Sequence, residues 1–198
     1  MELDFELVDG QTPLDEDEIE GLLISSISTR GELDEFEQLN IEKAYEWILS
    51  RTFTIEKVLT EKFVKELHRK MYSEIWRWAG DFRTTEKSIG CDPAVIGVEL
   101  KNLIDDAKYW IDNQIFSDDE IAIRFSHRIV KIHCFSNGNG RHSRMIADLL
   151  IEKCFNKSSF SWGGNNLVKQ GEARELYLKA LRDADENEYA KLIEFARA

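Results

Sequence analysis

Pro13 and Pro93 are the only two prolines in a chain of 198 residues. Proline lacks a backbone N–H donor and interrupts helices, so its scarcity leaves long stretches free to be helical. Apolar residues also recur at helical spacing, for example at Ile41, Ala44, Tyr45, Ile48 and Leu49. Such residues share one helical face and can pack on a core. The pattern predicts an all-α protein.

The same spacing predicts further helices. Thr12 and Pro13, followed by acids, are typical of a helix start, and a second helix runs through positions 55–71. Another covers about 95–111, and Ser117 caps one that ends near His133. Helices also follow position 140 and cover the apolar spacings at 173–181 and 189–193. Residues 77–93 break the period and predict a loop or small hairpin, and 160–166 predict a loop.

Charge and composition exclude several classes of protein. The 38 acidic and 26 basic residues leave a formal net charge of -12, which disfavours nucleic-acid binding through the overall field. No apolar run approaches the roughly 20 residues of a membrane span. The acidic N-terminus lacks the basic and apolar regions of a signal peptide. Three cysteines at unpaired spacing fit free thiols. We therefore expect a cytoplasmic protein without a membrane or nucleic-acid partner.

The segment 131–145, KIHCFSNGNGRHSRM, concentrates the residues that carry chemistry. Gly138 and Gly140 allow a tight turn whose N–H groups approach a ligand closely. The N-terminus of the following helix adds unpaired N–H donors, so the turn suits an anion such as phosphate. Arg141 and Arg144 share a helical face next to it and can grip neighbouring phosphates.

His133 lies directly before this turn, at the expected end of the preceding helix. A histidine beside bound phosphates can accept a proton from an attacking hydroxyl near neutral pH. The combination indicates a group transfer from a nucleotide to a hydroxyl. The alternative is that His133 merely caps a helix and the turn is an ordinary one.

Other phosphate and metal motifs fit less well. The turn is not a Walker A loop, because no Gly-Lys-Ser/Thr occurs, and it lacks the third glycine of a Rossmann fingerprint, since position 143 is Ser. Cys134 with His142 could form a thiol nucleophile pair. A zinc site is the last alternative, although its spacing matches no common pattern. Its ligands would be His127, His133, Cys134 and His142.

The stretch HCFSNGNGRHSR, residues 133–144, resembles the Fic motif His-x-Phe-x-Asp/Glu-Gly-Asn-Gly-Arg-x-x-Arg of the Fic/Doc family. WRWAGDFRTTEKSIG resembles the Trp-Ala-Gly-x-x-Arg stretch and the flap of that family, and LYLKALRDADENEYAKLIEF its closing helices. The likeness covers about 53–195, and TPLDEDEIEGLL is similar to the subgroup called mobile mystery protein B. It implies a Fic-like helical bundle with a short β-hairpin flap. An N-terminal helical segment (1–52) would precede a Fic core (53–198).

The resemblance implies that AMP is transferred from ATP to a hydroxyl of a target protein, or of the protein itself. His133 would be the general base. The turn of Gly138, Asn139 and Gly140 would form the anion hole, Arg141 would contact the phosphate tail, and Arg144 would orient the γ-phosphate. A target segment would add as a strand to the flap, whose residues are Thr84, Thr85, Glu86, Lys87, Ser88 and Ile89. The adenine pocket would draw on Arg174 and Tyr177.

Position 137 departs from the motif. Asn137 stands where the family has the Asp or Glu that holds Mg²⁺. An amide oxygen can still coordinate Mg²⁺, but without charge. The sequence leaves three functions open: AMP transfer, transfer of another group such as phosphate, phosphocholine or another nucleotide, and a nucleotide-binding regulatory module with little catalysis. It also leaves a homo-oligomer open.

Many members of the family carry an inhibitory helix with Ser/Thr-x-x-x-Glu-Gly/Asn, whose glutamate pairs with the second arginine of the motif. Ser28 and Glu32 have this spacing here, with Leu33 in place of Gly or Asn. The resemblance therefore implies that Glu32 competes with the γ-phosphate for Arg144. Glu35 and Glu37 are the rival glutamates.

Overall fold

A computed structural model describes residues 15–164, 167 and 171–198. The predicted helix start at Thr12 and Pro13 lies outside these residues, as do Asn165 and Asn166 of the predicted loop. In the described part of the chain the α-helices are α1 (Glu16–Ile19), α2 (Arg30–Leu49), α3 (Ile55–Val58), α4 (Glu61–Tyr72), α5 (Ile96–Asp112), α6 (Asp118–Ile132), α7 (Asn139–Leu149), α8 (Glu172–Asp185) and α9 (Ala190–Arg197).

The all-α class is confirmed. Across the described residues the only β-type pairing is an isolated bridge between Leu22 and Trp76. Short 3₁₀ turns cover Pro93–Val95 and Trp162–Gly164, and a π-turn at Leu150–Cys154 continues α7. The predicted loop at 160–166 is thus a turn where it is described. None of the described helices has both the length and the apolarity that crossing a membrane requires.

One helix prediction is wrong in its extent. Residues 55–71 form two helices, because α3 stops at Val58 and α4 starts at Glu61. Leu59 between them has ψ 63°, outside the helical range, while Thr60 accepts a hydrogen bond from the N–H of Phe63 at 3.2 Å. Threonine favours this N-cap position, and its cap starts α4 as a separate helix. The apolar spacing continues across the break, so periodicity alone does not reveal it.

The helices that carry the predicted site lie at the centre of the bundle. Helix α6 packs against both α5 and α7, and α2 packs against α4, which also contacts α7. The helix predicted after position 140 is deeply buried, since Ile146 and Ala147 of α7 and the following Leu150 are inaccessible to solvent. The end of α6 and the start of α7 therefore meet inside the molecule and are held by packing on several sides.

The start and end of α6 follow its sequence. Ser117 accepts a hydrogen bond from the N–H of Glu120 at 3.3 Å, and three acids fill the first turn, where they favour the positive end of the helix dipole. The helix ends at Ile132, and His133 takes a left-handed conformation with φ 57°. This ends α6 directly before the glycine-rich turn, as the sequence predicts.

Candidate functional site

A cavity of about 830 Å³ opens where α6, α7 and α8 meet. Its wall includes all the residues predicted to handle phosphate, together with Ser88, Ile89 and Gly90 from the segment after α4 and Arg30 from α2. The predicted phosphate residues in the wall are His133, Asn137, Gly138, Asn139, Gly140, Arg141 and Arg144. The structure thus gathers the short motif around one cavity.

Residues 136–140, here called the glycine loop, join α6 to α7. Gly138 has φ +78° and caps α7, so the first N–H groups of that helix are directed at the loop. A Cβ at Gly138 would lie 2.5 Å from the ring of Tyr72, so no larger residue fits. The side chain of Asn139 closes the turn: it accepts from the N–H of Phe135 at 2.9 Å and donates to its carbonyl at 2.7 Å. These two bonds commit the Asn139 side chain to the turn, and its backbone N–H lies at the start of α7.

His133 is 5% exposed and lines the cavity beside this loop. Burial, and then the positive charge of Arg83, lowers the pKa of His133 from 6.5 to about 4. The imidazole is therefore neutral at physiological pH and can accept a proton. Arg83 also holds the backbone here, because its Nε donates to the carbonyl of His133 at 2.6 Å.

His68, on α4, holds the glycine loop from behind. Its Nδ1 accepts a hydrogen bond from the N–H of Gly80 at 3.0 Å, so its proton lies on Nε2, which donates to the carbonyl of Asn137 at 3.0 Å. Its ring is stacked on Phe135 with 3.7 Å between centroids. Burial, helped by the nearby His142, keeps the pKa of His68 well below its ordinary 6.5, so this neutral tautomer persists. Sequence analysis missed His68, since nothing in the local pattern distinguishes it from other residues of an apolar helical face.

The two arginines of the motif have different surroundings. Arg141 Nη2 donates to Glu37 Oε2 at 2.5 Å, and its guanidinium lies 5.4 Å from the centre of the Tyr72 ring. Burial alone would lower the pKa of Arg141, but the Glu37 carboxylate raises it above its ordinary value. Arg144 lies 5.3 Å from the centre of the Tyr177 ring. Both arginines line the cavity.

Glu32 does not reach this site. Its carboxylate caps α2, where Oε2 accepts from the N–H groups of Ser28 at 2.8 Å and Thr29 at 3.0 Å. These bonds, the one from Ser28 first, lower the pKa of Glu32, and its side chain is exposed. The predicted Glu32–Arg144 contact is therefore wrong in this structure. The capping box of α2 accounts for the spacing that suggested it.

Glu37 is the glutamate of α2 that reaches the motif, and its residue is fully buried. It bonds Arg141, the first arginine, and Asn137, whose Nδ2 lies 3.2 Å from Glu37 Oε1. Trp76 Nε1 donates to the same oxygen at 2.7 Å. The sequence offered Glu37 only as a rival to Glu32, and as a partner for the other arginine.

Residues 84–89, here called the flap segment, form no strands, so the predicted hairpin is absent. The Arg83 guanidinium donates hydrogen bonds to the backbone carbonyls of Thr85 and Cys91. In a hairpin, such carbonyls would instead accept from the backbone N–H groups of the partner strand. Only Ser88 and Ile89 of the six predicted flap residues line the cavity. The part of the flap segment before Ser88 is held against α1, because Lys87 forms ion pairs with Asp15, the N-cap residue of α1, at 2.8 Å and with Glu18. Lys87 is thus an anchored cation and not a solvated one.

The residues predicted for an adenine pocket both line the cavity. Tyr177 is 5% exposed and packs against Trp162 and Phe195, so most of its surface belongs to the core. Arg174 donates to the carbonyl of Leu167. The structure therefore brings both predicted residues to the same cavity as the glycine loop.

The thiol and zinc alternatives find no support. Burial raises the pKa of Cys134 to about 12, so its thiol stays protonated, and the Nε2 of His142 lies 3.0 Å from the carbonyl of Val64. The Nε2 of His127 lies 3.1 Å from Asp185. Among the residues that the structure describes, no three His, Cys, Asp or Glu side chains are grouped to hold a metal ion.

Fold and cavity together define a helical domain in which a glycine-rich loop, two arginines and a neutral histidine line one cavity. The Fic/DOC family model matches residues 58–151, so this segment of the chain belongs to the Fic/DOC family. The mobile mystery protein B subgroup and the division at position 52 stay predictions.

Known relatives agree with this assignment. The chain is 23% identical over 163 residues to the protein adenylyltransferase Fic of Aedes aegypti. The matched region covers 80% of this chain but only 31% of that relative. The chain thus spans less than a third of the length of this curated relative. Among solved structures, Fic-1 from C. elegans has a TM-score of 0.67 and 20% identity over 90% of this chain and 51% of its own. BepC from Bartonella tribocorum with bound AMPPNP also has a TM-score of 0.67, with 14% identity over 92% of this chain and 97% of its own. These structures establish the fold.

Proposed function

We propose that this protein is a protein adenylyltransferase, which transfers AMP from ATP to a hydroxyl of a protein side chain. The observation that carries the proposal is a neutral, buried His133 beside the glycine loop and two arginines in one cavity. A base, an anion cradle and two cations are what a hydroxyl attack on a polyphosphate requires. The curated relative from Aedes aegypti carries the same activity in its name.

The reaction follows from the roles of these groups. A target hydroxyl gives its proton to His133 as its oxygen forms a bond to the α-phosphorus. The bond from that phosphorus to the oxygen shared with the β-phosphate breaks, and pyrophosphate leaves. The N–H groups at the start of α7 face the negative charge that develops on the phosphates, while Arg141 and Arg144 hold the rest of the polyphosphate.

The family implies a Mg²⁺ ion at this site, and in this chain Asn137 is the residue that could supply a ligand to it. Glutamate oxygens only accept hydrogen bonds when ionised, so the contact with Glu37 must use the Nδ2 of Asn137. The Oδ1 of Asn137 is then the end available to a ligand in the cavity. One neutral oxygen suits a Mg²⁺ that takes its other ligands from nucleotide phosphates and water. Such an ion would neutralise phosphate charge.

The target and the setting belong to the same proposal. A peptide would approach along the flap segment and the neighbouring Gly90, whose ideal Cβ position lies 2.7 Å from the Cβ of His133. Self-modification is the simplest case, since it needs no second protein. Cys91, Cys134 and Cys154 are all free thiols, which fits a reducing cytoplasm.

Positional labelling tests the proposal. The protein, alone and with a cell lysate, is incubated with Mg²⁺ and ATP labelled at the α- or the γ-phosphate. Label should enter protein from the α position only. His133→Ala should lower the rate at least about 100-fold, the usual contribution of a general base. Calorimetry on the variant should show that ATP still binds.

Each other outcome has a definite meaning. Entry of γ-label rejects AMP transfer and supports phosphotransfer. Absence of transfer with intact ATP binding supports the regulatory module. Unchanged labelling by the His133→Ala variant rejects His133 as the base.

A further inference from the structure

Glu37 is a buried residue of α2 that contacts the glycine loop and the start of α7. It is 100 positions from Asn137 and 104 from Arg141 in sequence, yet bonds both. Oε1 accepts from Trp76 at 2.7 Å and from Asn137 at 3.2 Å, while Oε2 accepts from Arg141. Three donors therefore satisfy one carboxylate that is shielded from water.

These contacts distinguish an anchor from a displaceable inhibitor. An inhibitory carboxylate must leave the arginine when a phosphate arrives. Glu37 cannot leave without exposing its charge to the core and breaking its bond to Trp76, which is also fully buried. Removing one partner from a buried charge pair is strongly unfavourable. Glu37 is therefore built to stay while the nucleotide binds.

Glu37 leaves the phosphate-binding edge of Arg141 available. The contact uses Nη2 alone, and the Arg141 side chain retains 16% exposure where it lines the cavity. The guanidinium is held between this carboxylate and the ring of Tyr72, the ring that also fits beneath Gly138. An arginine fixed in this way binds phosphate without first losing side-chain freedom.

Glu37 also sets the direction of the Asn137 amide. The carboxylate attracts Nδ2, so Oδ1 is turned to the other side, and Asn137 lines the cavity. The motif of the family has a carboxylate at position 137. Here the carboxylate of Glu37, from α2, lies one hydrogen bond behind Asn137 and so one step further from the cavity. Carboxylates behind a ligand residue commonly orient it and tune its affinity.

We propose that Glu37 is a positioning residue of the phosphate site: it holds Arg141 and the Asn137 amide in their binding orientations and supplies the negative charge missing from position 137. The proposal rests on the nucleotide binding of the proposed function and not on which group is transferred. It makes α2 part of the binding site and not an inhibitor of it.

The test measures ATP binding in the presence of Mg²⁺ by calorimetry, in a His133→Ala background so that no turnover occurs. Glu37→Gln should weaken binding about 10- to 100-fold, the usual effect of losing a carboxylate behind a ligand. Adding Asn137→Asp should restore much of the lost ATP affinity. The negative charge is then at position 137, next to the cavity, and the side-chain amide of the glutamine at position 37 can donate a hydrogen bond to it. Glu46→Gln, an exposed residue of the same helix, is the matched control and should bind as its parent does.

A merely structural role would predict loss of folding in Glu37→Gln without specific rescue by Asn137→Asp. Tighter binding or faster labelling by Glu37→Gln would make Glu37 an inhibitor and overturn the proposal, as would unchanged affinity. Wild-type protein provides an independent reading if the variant does not fold. In a crystal structure with ADP and Mg²⁺, the Glu37–Arg141 bond should persist, and a broken bond would overturn the proposal.

The proposed function and this inference can fail separately. If α-label never enters protein but Glu37→Gln still weakens ATP binding, AMP transfer is rejected and the role of Glu37 stands. If α-label enters protein but Glu37→Gln binds ATP as tightly as its parent, AMP transfer stands and the proposed role of Glu37 is rejected.

Discussion

The imidazole of His68 donates a hydrogen bond to the carbonyl of Asn137 at 3.0 Å, and this contact fixes the glycine loop from the side opposite the cavity. The other ring nitrogen is held by the N–H of Gly80, so the ring has one tautomer and one orientation. The loop is therefore arranged before any ligand binds.

Replacing His68 should loosen this arrangement. His68→Ala removes a buried ring and leaves the Gly80 N–H without its acceptor, so we expect a loss of about 2–4 kcal/mol in the free energy of unfolding. Urea denaturation measures it. Lys62→Gln, exposed on the same helix, should stay within about 0.5 kcal/mol. A similar small effect for His68→Ala would show that the loop does not depend on this contact.

Gly138 should be intolerant of even one methyl group. Gly138→Ala requires a positive φ in a residue with a Cβ and a contact 2.5 Å from Tyr72, so the protein should lose about 2 kcal/mol or more of stability. Thermal unfolding provides the measurement. Gly97→Ala is the comparison, since its Cβ meets nothing within 4 Å in α5, and it should be neutral or stabilising. Equal effects of both variants would contradict the close fit at Gly138.

The protonation of His133 can be followed directly. Its pKa is lowered to about 4 by burial and by Arg83, so the NMR signal of its ring should show no titration between pH 8 and 6. The folded protein then binds fewer protons than the unfolded chain between pH 6.5 and 4. The stability contributed by neutral His133 is full above 6.5 and declines as pH falls through this window. A midpoint at or above 6.5 would contradict the buried, neutral base.

The sequence predicts much of this site because its chemistry is contiguous. His133, the glycine loop and Arg144 lie within twelve positions, and a helix end, a turn and a helix start suffice to bring them together. The cap at Ser117 and the end of α6 are local features in the same sense, and the structure confirms both.

The parts of the site that the sequence does not predict depend on contacts between segments that are far apart in the chain. Choosing Glu37 among 38 acidic residues requires knowing which face of α2 packs on the core. The Glu32 spacing has a local explanation, a capping box, which sequence analysis did not weigh. His68 and Trp76 look like ordinary core residues until the fold places their ring nitrogens beside the loop and Glu37.

The anchored flap segment yields a stability prediction. The side chains of Lys87 and Glu18 are 2% and 8% exposed, so Lys87→Met leaves a buried carboxylate without its main partner. We expect a loss of about 3 kcal/mol, measured by urea denaturation. Lys43→Met breaks an exposed pair with Glu74, of 59% and 57% exposure, and should cost less than about 1 kcal/mol. If the two variants lose the same stability, Lys87 is not buried in solution.

The identity of the transferred group is the central claim, and intact-protein mass spectrometry after incubation with Mg²⁺ and ATP reads that identity from the adduct. We predict a mass increase of one AMP group, located by fragmentation on a serine, threonine or tyrosine oxygen and absent from His133→Ala. A mass increase of one phosphate group, or an AMP adduct that persists in His133→Ala, would contradict the account.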